Sequence, residues 1–118
     1  MKKIEAIIRK TVLNTVQEEL KLIGIEFFTY WEVKGVGIAK EEYWFRGTKY
    51  NPSSIERLMI SIVVRDVNLQ KTVDCILKHA HTGEIGDGKI FVSTIDDSYR
   101  IRTGERGNES LYIHDLDK

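Results

Sequence analysis

Apolar residues recur along the chain at two spacings, which predict strands and helices in turn. Short apolar runs rich in β-branched or aromatic residues predict four strands, at residues 4–8, 27–33, 58–64 and 90–95. Apolar residues at helical spacing follow the first and third of these runs and predict two helices. The order is therefore β-α-β-β-α-β.

Local signals indicate where the two helices begin and end. Asn14 can cap the first helix, with Gln17 placed to return the bond, and Gly24 is a plausible stop. Asp66 or Asn68 can open the second helix. The residues expected to face the core are Val16, Leu20 and Ile23 in the first helix, and Leu69, Val73, Ile76, Leu77 and Ala80 in the second.

This order of elements predicts an α+β fold of the split βαβ, ferredoxin-like type. No internal linker interrupts the 118 residues, so we expect one domain over residues 1–118. A long insert, residues 36–56, separates the second and third predicted strands. Hairpin connections are usually two to five residues long, so an insert of this length is expected to be functional or mobile.

The insert contains a cluster of side chains that is typical of binding surfaces. Tyr43, Trp44, Phe45 and Arg46 are adjacent, and three exposed aromatic side chains are costly unless something covers them. Tyr, Trp and Arg are enriched at binding hot spots, which favours contact with a partner protein. The alternative is that these residues pack within the assembly of this chain itself.

Composition excludes several classes of protein. The 18 basic and 18 acidic side chains give a formal net charge of zero, which argues against general nucleic-acid binding. No apolar run is long enough for membrane insertion, and the N-terminus does not resemble a signal peptide. Cys75 is the single cysteine, so an intrachain disulfide is excluded and a cytoplasmic location is expected. His79 and His81 lack a ligand cluster, so no metal site is predicted.

Residues 82–92 contain three glycines and a lysine directly before an apolar run. Glycine allows positive φ and close approach of backbone N–H groups, which together can form a concave anion site. Lys89 would add a positive charge where a phosphate lies. The segment does not match the P-loop pattern, which requires Gly-Lys-Ser/Thr at the start of a helix. Taken alone, a glycine-rich loop with one lysine is more often a tight turn than a phosphate cradle.

Arg100 and Arg102 form a second candidate anion site. Residues two apart in an extended segment point to the same face, and two guanidinium groups side by side repel each other unless an anion lies between them. Arginine presents a planar fork that suits phosphate oxygens. A solvated edge strand with surface charges is the alternative interpretation.

Taken together, these segments resemble the PII signal-transduction proteins of nitrogen metabolism. The resemblance covers nearly the whole chain: residues 1–9, 32–37, 45–50, 82–92 and 100–105. Residues 82–92 carry the strongest match, because they resemble the B-loop signature of that family. The resemblance implies a homotrimer of ferredoxin-like subunits with a T-loop at residues 36–56, a B-loop at 82–89 and a C-loop at 100–106.

The resemblance also implies a function: a non-enzymatic sensor that binds ATP or ADP between subunits, with Mg²⁺ as a candidate companion ion. The T-loop would dock on a target such as an ammonium transporter or a nitrogen-assimilation enzyme. The nucleotide-binding residues that it implies are Thr29, Gly35, Gly37, Val63, Gly83, Ile85, Gly86, Asp87, Gly88, Lys89, Arg100 and Arg102. No catalytic residue is implied.

The chain departs from the family pattern at the base of the T-loop. The family usually reads Gly-Phe-Gly-Arg-Gln-Lys, whereas residues 35–40 here read Gly-Val-Gly-Ile-Ala-Lys. Ala39 offers no donor or acceptor where the family's glutamine completes the site for Mg-ATP and 2-oxoglutarate. We therefore expect weak or absent 2-oxoglutarate binding, with Arg57 and Lys40 as the remaining candidate effector contacts.

The modification motif is also altered. Tyr50 stands at the acceptor position, but Lys49 reverses the usual charge beside it, so uridylylation of Tyr50 is not expected to be retained. Two alternative functions stay open from the sequence. One is a small enzyme that transfers or hydrolyses a phosphoryl group, and the other is a structural trimer related to metal-tolerance proteins of the same fold.

Overall fold

The structure is a computed structural model that describes residues 1–37 and 55–111 and the backbone of residues 43–45 and 48–50. Eight regular elements follow one another along the chain. They are β1 (Lys2–Ile8), α1 (Leu13–Leu22), β2 (Thr29–Gly35), β3 (Tyr43–Phe45), β4 (Thr48–Tyr50), β5 (Ile55–Val64), α2 (Leu69–Ala80) and β6 (Ile90–Thr94).

Four strands form one antiparallel sheet in the order β2-β5-β1-β6, and β3 pairs with β4 in a separate hairpin within the insert. Alternate residues of β1 are buried, beginning with Ile4 and Ala6, because one face of the sheet is covered by both helices. Val16 and Leu20 of α1 and Ile76 of α2 complete that core. The predicted ferredoxin-like α+β fold is confirmed.

The described residues leave the opposite face of the sheet uncovered. In the strand register Ile7 lies beside Met59, Met59 lies beside Trp31, and Glu5 lies beside Phe91, so these side chains share this second face. Phe91 keeps 50% of its surface exposed and Trp31 keeps 43%. Exposed apolar side chains grouped in this way are typical of an interaction surface.

Several predicted boundaries and caps are wrong. β2 begins at Thr29 rather than at residue 27, because Phe27 lies in the exposed connection from α1. β5 begins at Ile55, three residues earlier than predicted, since its early residues pair with the end of β2. Asn14 lies inside α1; Val12 occupies the cap position without a side-chain bond.

The core-facing stripe of α2 was predicted with one wrong residue. Leu77 is 58% exposed, whereas Thr72 is fully buried. A hydroxyl can be buried here because Thr72 Oγ1 donates to the Asn68 carbonyl at 2.7 Å. The stripe therefore runs through Thr72 and Ile76, and apolar spacing does not indicate that its polar residue is buried.

Two leucines on α1 test this assignment of the core. Leu20→Ala removes a fully buried side chain and should lower the free energy of unfolding by about 2–5 kcal/mol. Leu22 lies two residues further along and is 78% exposed, so Leu22→Ala should change it by no more than about 0.5 kcal/mol. Urea denaturation of both variants checks the difference, and equal losses would contradict the packing described.

Candidate functional site

The glycine-rich loop, residues 82–89, connects α2 to β6 and lies against the end of β1. Gly83 and Gly86 have φ of 85° and 106°, which glycine adopts without strain. Gly88 is required for a different reason: a Cβ there would lie 1.8 Å from the carbonyl oxygen of Ile7. The Ile7 N–H donates to the Lys89 carbonyl at 2.9 Å, so the loop is fastened directly to the sheet.

The carboxylate of Asp87 organises the inside of this loop. It accepts hydrogen bonds from the Thr82 hydroxyl at 2.5 Å, from the Thr82 and Gly83 N–H groups at 2.9 and 3.0 Å, and from Arg9 Nε at 3.0 Å. The bonds from Thr82, with those from Arg9 and Gly83, hold the pKa of Asp87 far below its ordinary value. Asp87 is therefore an ionised structural anchor.

These internal bonds limit which N–H groups of the loop can meet an anion. The N–H groups of Thr82 and Gly83 are bonded to Asp87, and that of Glu84 to the Thr82 hydroxyl at 3.2 Å. An incoming phosphate therefore has to use N–H groups later in the loop together with Lys89. Within the described part of the chain, the exposed Lys89 ammonium has no hydrogen bond or ion pair.

Two arginines from the sheet hold the loop from outside. Arg9, which directly follows β1, bonds to Asp87 and also donates to the Ile85 carbonyl at 3.3 Å. Arg57 of β5 is 9% exposed and donates Nε and Nη2 to the Gly86 carbonyl at 3.2 and 3.1 Å. Sequence reasoning gave no role to Arg9; its only signal was a charge directly after a buried strand.

A second set of predicted residues gathers at the opposite end of the sheet. Arg100 lies beyond β6, and its Nη2 contacts the carbonyls of Glu109 and Ser110 at 3.3 and 3.4 Å, while its Nε lies 3.6 Å from Glu105. Arg102 is exposed two residues later. The predicted extended geometry is wrong here, because the Gly104 N–H donates to the Arg100 carbonyl and closes a turn.

The segment that carries these arginines is fixed by a local network. Asp97 accepts from the Ser98 N–H at 2.8 Å, from the Gly107 N–H at 3.1 Å and from Arg106 Nη2 at 2.6 Å. These bonds, that from Ser98 foremost, lower the pKa of Asp97. Arg106 also stacks over Tyr99, 5.5 Å from the ring centre. The turn is thus held in shape without any ligand.

Thr29 and Val63 lie at this same end. The pairing of β2 with β5 stops at Thr29 and Ser61, and β5 continues to Val64 paired with β1 only. A cleft of about 350 Å³ opens beside it. Its lining residues are Gly24, Ile25, Val63, Val64, Arg65, Asn68 and Leu111.

The predicted nucleotide-binding residues therefore fall into two sets. The set at the end of the glycine-rich loop contains Gly35, Gly37 and the predicted members of residues 82–89. The set at the opposite end of the sheet contains Thr29, Val63, Arg100 and Arg102. Gly35 lies six residues after Thr29 in β2, which is about 20 Å along an extended strand. One chain does not bring the two sets together.

The base of the insert is tied to the sheet by an ionic contact. Lys10 Nζ lies 3.1 Å from Glu32 of β2 and 3.3 Å from Glu56 of β5, and hydrogen bonds to Glu32 and then Glu56 raise its pKa. Lys40, Arg46 and the side chains of Tyr43, Trp44, Phe45 and Tyr50 lie outside the described residues.

His79, within α2, and His81, directly after it, have different neighbours. His79 Nε2 lies 3.5 Å from Glu19 of α1, whereas His81 Nδ1 lies 4.0 Å from Asp87 in the loop. Within residues 1–37 and 55–111, no group of three metal-ligating side chains comes together. The same part of the chain contains no helix long and apolar enough to cross a membrane.

Comparison with known proteins identifies the class to which this arrangement belongs. The sequence profile of the family described as "Nitrogen regulatory protein P-II" matches residues 1–105. Proteins of that name from Bradyrhizobium diazoefficiens and Synechocystis are 43% and 44% identical over 112 residues, which is 94% of this chain and all of theirs. A crystal structure of Arabidopsis thaliana PII bound to citrate superposes with a TM-score of 0.78 at 33% identity, covering 95% of this chain and 90% of that one.

The ferredoxin-like sheet with its glycine-rich loop is thus that of a small signalling protein. The chain belongs to the nitrogen regulatory protein P-II family. The resemblance drawn from the sequence is confirmed.

Asp87 makes the loop sensitive to acid. Because its native pKa is depressed, the ionised carboxylate stabilises the fold above the ordinary carboxyl pKa of about 3.9 and loses that effect as the pH falls below it. Asp87→Asn should therefore be less stable than the parent chain at pH 7, with a gap that narrows from pH 5 to pH 2. Urea denaturation across this range checks it, and a gap independent of pH would contradict the assignment.

Proposed function

We propose that this chain is a non-enzymatic sensor of ATP or ADP, which binds the nucleotide between subunits of a homotrimer and regulates a target protein. One observation carries the proposal. The residues implied in nucleotide binding lie in two sets at opposite ends of one rigid sheet, about 20 Å apart. Each end is half of a site, and a neighbouring subunit supplies the other half.

The uncovered sheet face supports the assembly that this requires. Phe91, Trp31 and Met59 lie on that face next to polar residues of β1. A domain of 118 residues buries a limited share of its own surface, so association adds burial where these side chains are only partly covered. The closed symmetry of a homotrimer would repeat one half-site pair at each of its interfaces.

Within each interface the chemistry divides between the two halves. The loop half offers Lys89 and backbone N–H groups to the phosphates, while the neighbour's Arg100 and Arg102 supply guanidinium groups that match phosphate oxygens. Val63 lines the cleft beyond the last pair of β2 with β5, a place that suits an adenine ring, whose edge presents both a donor and acceptors. Thr29 adds a hydroxyl to the same end.

Mg²⁺ would bind to the protein as part of a Mg-nucleotide complex. Mg²⁺ is usually held by one or two carboxylates together with substrate phosphates and water. In the loop, Asp87 already accepts from Thr82, Gly83 and Arg9. We therefore assign the coordination of Mg²⁺ to the phosphates and water rather than to this carboxylate.

The same contacts favour a sensor over a phosphoryl-transferring enzyme. A general base needs a pKa near the working pH, and the pKa of Asp87 is shifted far in the opposite direction. Lack of ATP turnover by the purified protein, at concentrations where ATP binds, supports the sensor. Binding of ATP at all separates it from a purely structural trimer.

A mixing experiment tests whether the site crosses between subunits. Lys89→Ala and Arg102→Ala should each weaken ATP binding ten-fold or more, since lost charged contacts cost about 1.5–3 kcal/mol. When the two variants are co-refolded at equal amounts, a mixed trimer regains one intact interface. About one site in four should then bind ATP with the parental affinity, as calorimetry would show.

The two variants refolded separately and then combined without exchange serve as the control and should recover nothing. Failure of mixed trimers to recover any tight site, when native mass spectrometry proves that they formed, would place both residues in one chain's site or outside it.

We also propose that 2-oxoglutarate binds weakly or not at all. Ala39 lacks the polar group of the family's glutamine, and Arg57 is already engaged by main-chain oxygens of Gly86 and Glu56. Titration of the Mg-ATP-loaded protein should therefore give no saturation in the low micromolar range. Saturable binding there would show that another residue, with Lys40 the first candidate, has assumed this role.

The insert is the proposed output surface. Its strand β3 carries Tyr43, Trp44 and Phe45, and Arg46 follows them in the sequence, a composition suited to a groove on a target. An ammonium transporter or a nitrogen-assimilation enzyme is the target class that the family implies. Trp44→Ala should abolish capture of such a target while trimer mass and ATP affinity stay unchanged. Loss of the trimer instead would assign Trp44 to the assembly.

A further inference from the structure

Arg57 joins two parts of the molecule that are distant in sequence. It is the third residue of β5, the strand by which the insert rejoins the sheet at Ile55. Its guanidinium is buried and donates two bonds to the Gly86 carbonyl in the glycine-rich loop, at 3.2 and 3.1 Å. A further bond, from Nη1 to the Glu56 carbonyl at 2.8 Å, returns to its own strand.

The contact fixes the part of the loop with the most unusual backbone. Gly86 has φ of 106°, and the peptide that follows it is held from both sides. In this peptide, the Gly86 carbonyl accepts from Arg57, and the Asp87 N–H donates to the Glu84 carbonyl at 3.2 Å. The plane of that peptide cannot flip without breaking both sets of bonds, so Arg57 fixes the orientation of the N–H groups that follow.

Arginine is suited to this contact in a way that lysine is not. The planar fork places Nε and Nη2 on one carbonyl while Nη1 reaches a second carbonyl in a different direction. A lysine ammonium is a compact charge on a flexible stem and would not fix the two carbonyls relative to each other. The geometry of the loop and the start of β5 are therefore defined together.

We infer that Arg57 is a positioning residue that couples the occupancy of the glycine-rich loop to the strand where the insert rejoins the sheet. An anion that binds best when Gly86 is held in place stabilises the Arg57 contact. By linkage, that contact stabilises the bound anion to the same extent. The positioning part stands on the contacts alone, whereas the coupling to ATP rests on the proposed function.

Two substitutions separate this role from a general contribution to stability. Arg57→Gln removes the fork and the charge, and Arg57→Lys keeps the charge but replaces the planar fork with a single ammonium group. Lys78→Gln, an exposed residue of α2, is the matched loss of one positive charge. Each protein is followed by calorimetric titration with ATP and by hydrogen exchange of the amides in residues 82–89 and 55–58.

In the free proteins, exchange in residues 82–89 should be at least ten-fold faster in Arg57→Gln than in the parent or Lys78→Gln, with Arg57→Lys between them. ATP should bind Arg57→Gln ten-fold or more weakly. ATP should slow exchange at residues 55–58 in the parent, yet at saturation it should protect only residues 82–89 in Arg57→Gln.

Unchanged loop exchange in both Arg57 variants overturns the positioning role. Equal protection of residues 55–58 by ATP in the parent and in Arg57→Gln overturns the coupling. If Arg57→Gln does not fold, Arg57→Lys decides on the same readouts. If the parent does not bind ATP, the proposed function and the coupling both fail, and loop exchange in the free proteins still decides the positioning role.

Discussion

The antiparallel pairing of β1 with β5 and β6 is the constraint on which the rest of the molecule depends. It fixes the glycine-rich loop at one end of the sheet, where Gly88 packs on the Ile7 carbonyl. It fixes the Arg100–Arg102 turn at the other end, where the Ile95 N–H donates to the Met1 carbonyl. The sheet therefore separates two groups of residues that one ligand would have to contact together.

This separation gives a physical reason for association. In the proposed sensor, each end of the sheet carries half of a site that only another copy can complete, and the sheet face with exposed Phe91 and Trp31 would offer the surface for that association. Ligand binding and assembly would then stabilise each other, because a nucleotide held by two subunits adds contacts that neither subunit makes alone. On this account, nucleotide sensing and trimer formation depend on the same interface.

Much of the fold could be predicted from the sequence, because its strands and helices have strong apolar periodicity. The errors fell where tertiary contacts override a local pattern. Thr72 is buried because the Asn68 carbonyl satisfies its hydroxyl, and no apolar spacing signals that. The start of β5 at Ile55 depends on its pairing with Gly35, a contact between residues distant in sequence.

The site was predicted in composition more than in geometry. The glycine pattern and the paired arginines indicated anion binding, but Gly88 is there for packing against β1, and Asp87 serves as an internal anchor. Arg9 received no role, because its function depends on where the loop passes and not on its neighbours in sequence. The bonds from the Arg57 guanidinium to Gly86 and Glu56 had no signal in the sequence, and the effector contact expected of Arg57 stays a prediction.

The most direct test of this account is a crystal structure of the protein with ATP. We expect the phosphate oxygens to lie about 3 Å from Lys89 Nζ of one subunit and from an arginine of the Arg100–Arg102 turn of its neighbour. We also expect the adenine ring to lie beside Val63 of that same neighbour. A nucleotide whose phosphates and base are held by a single chain would contradict the central claim.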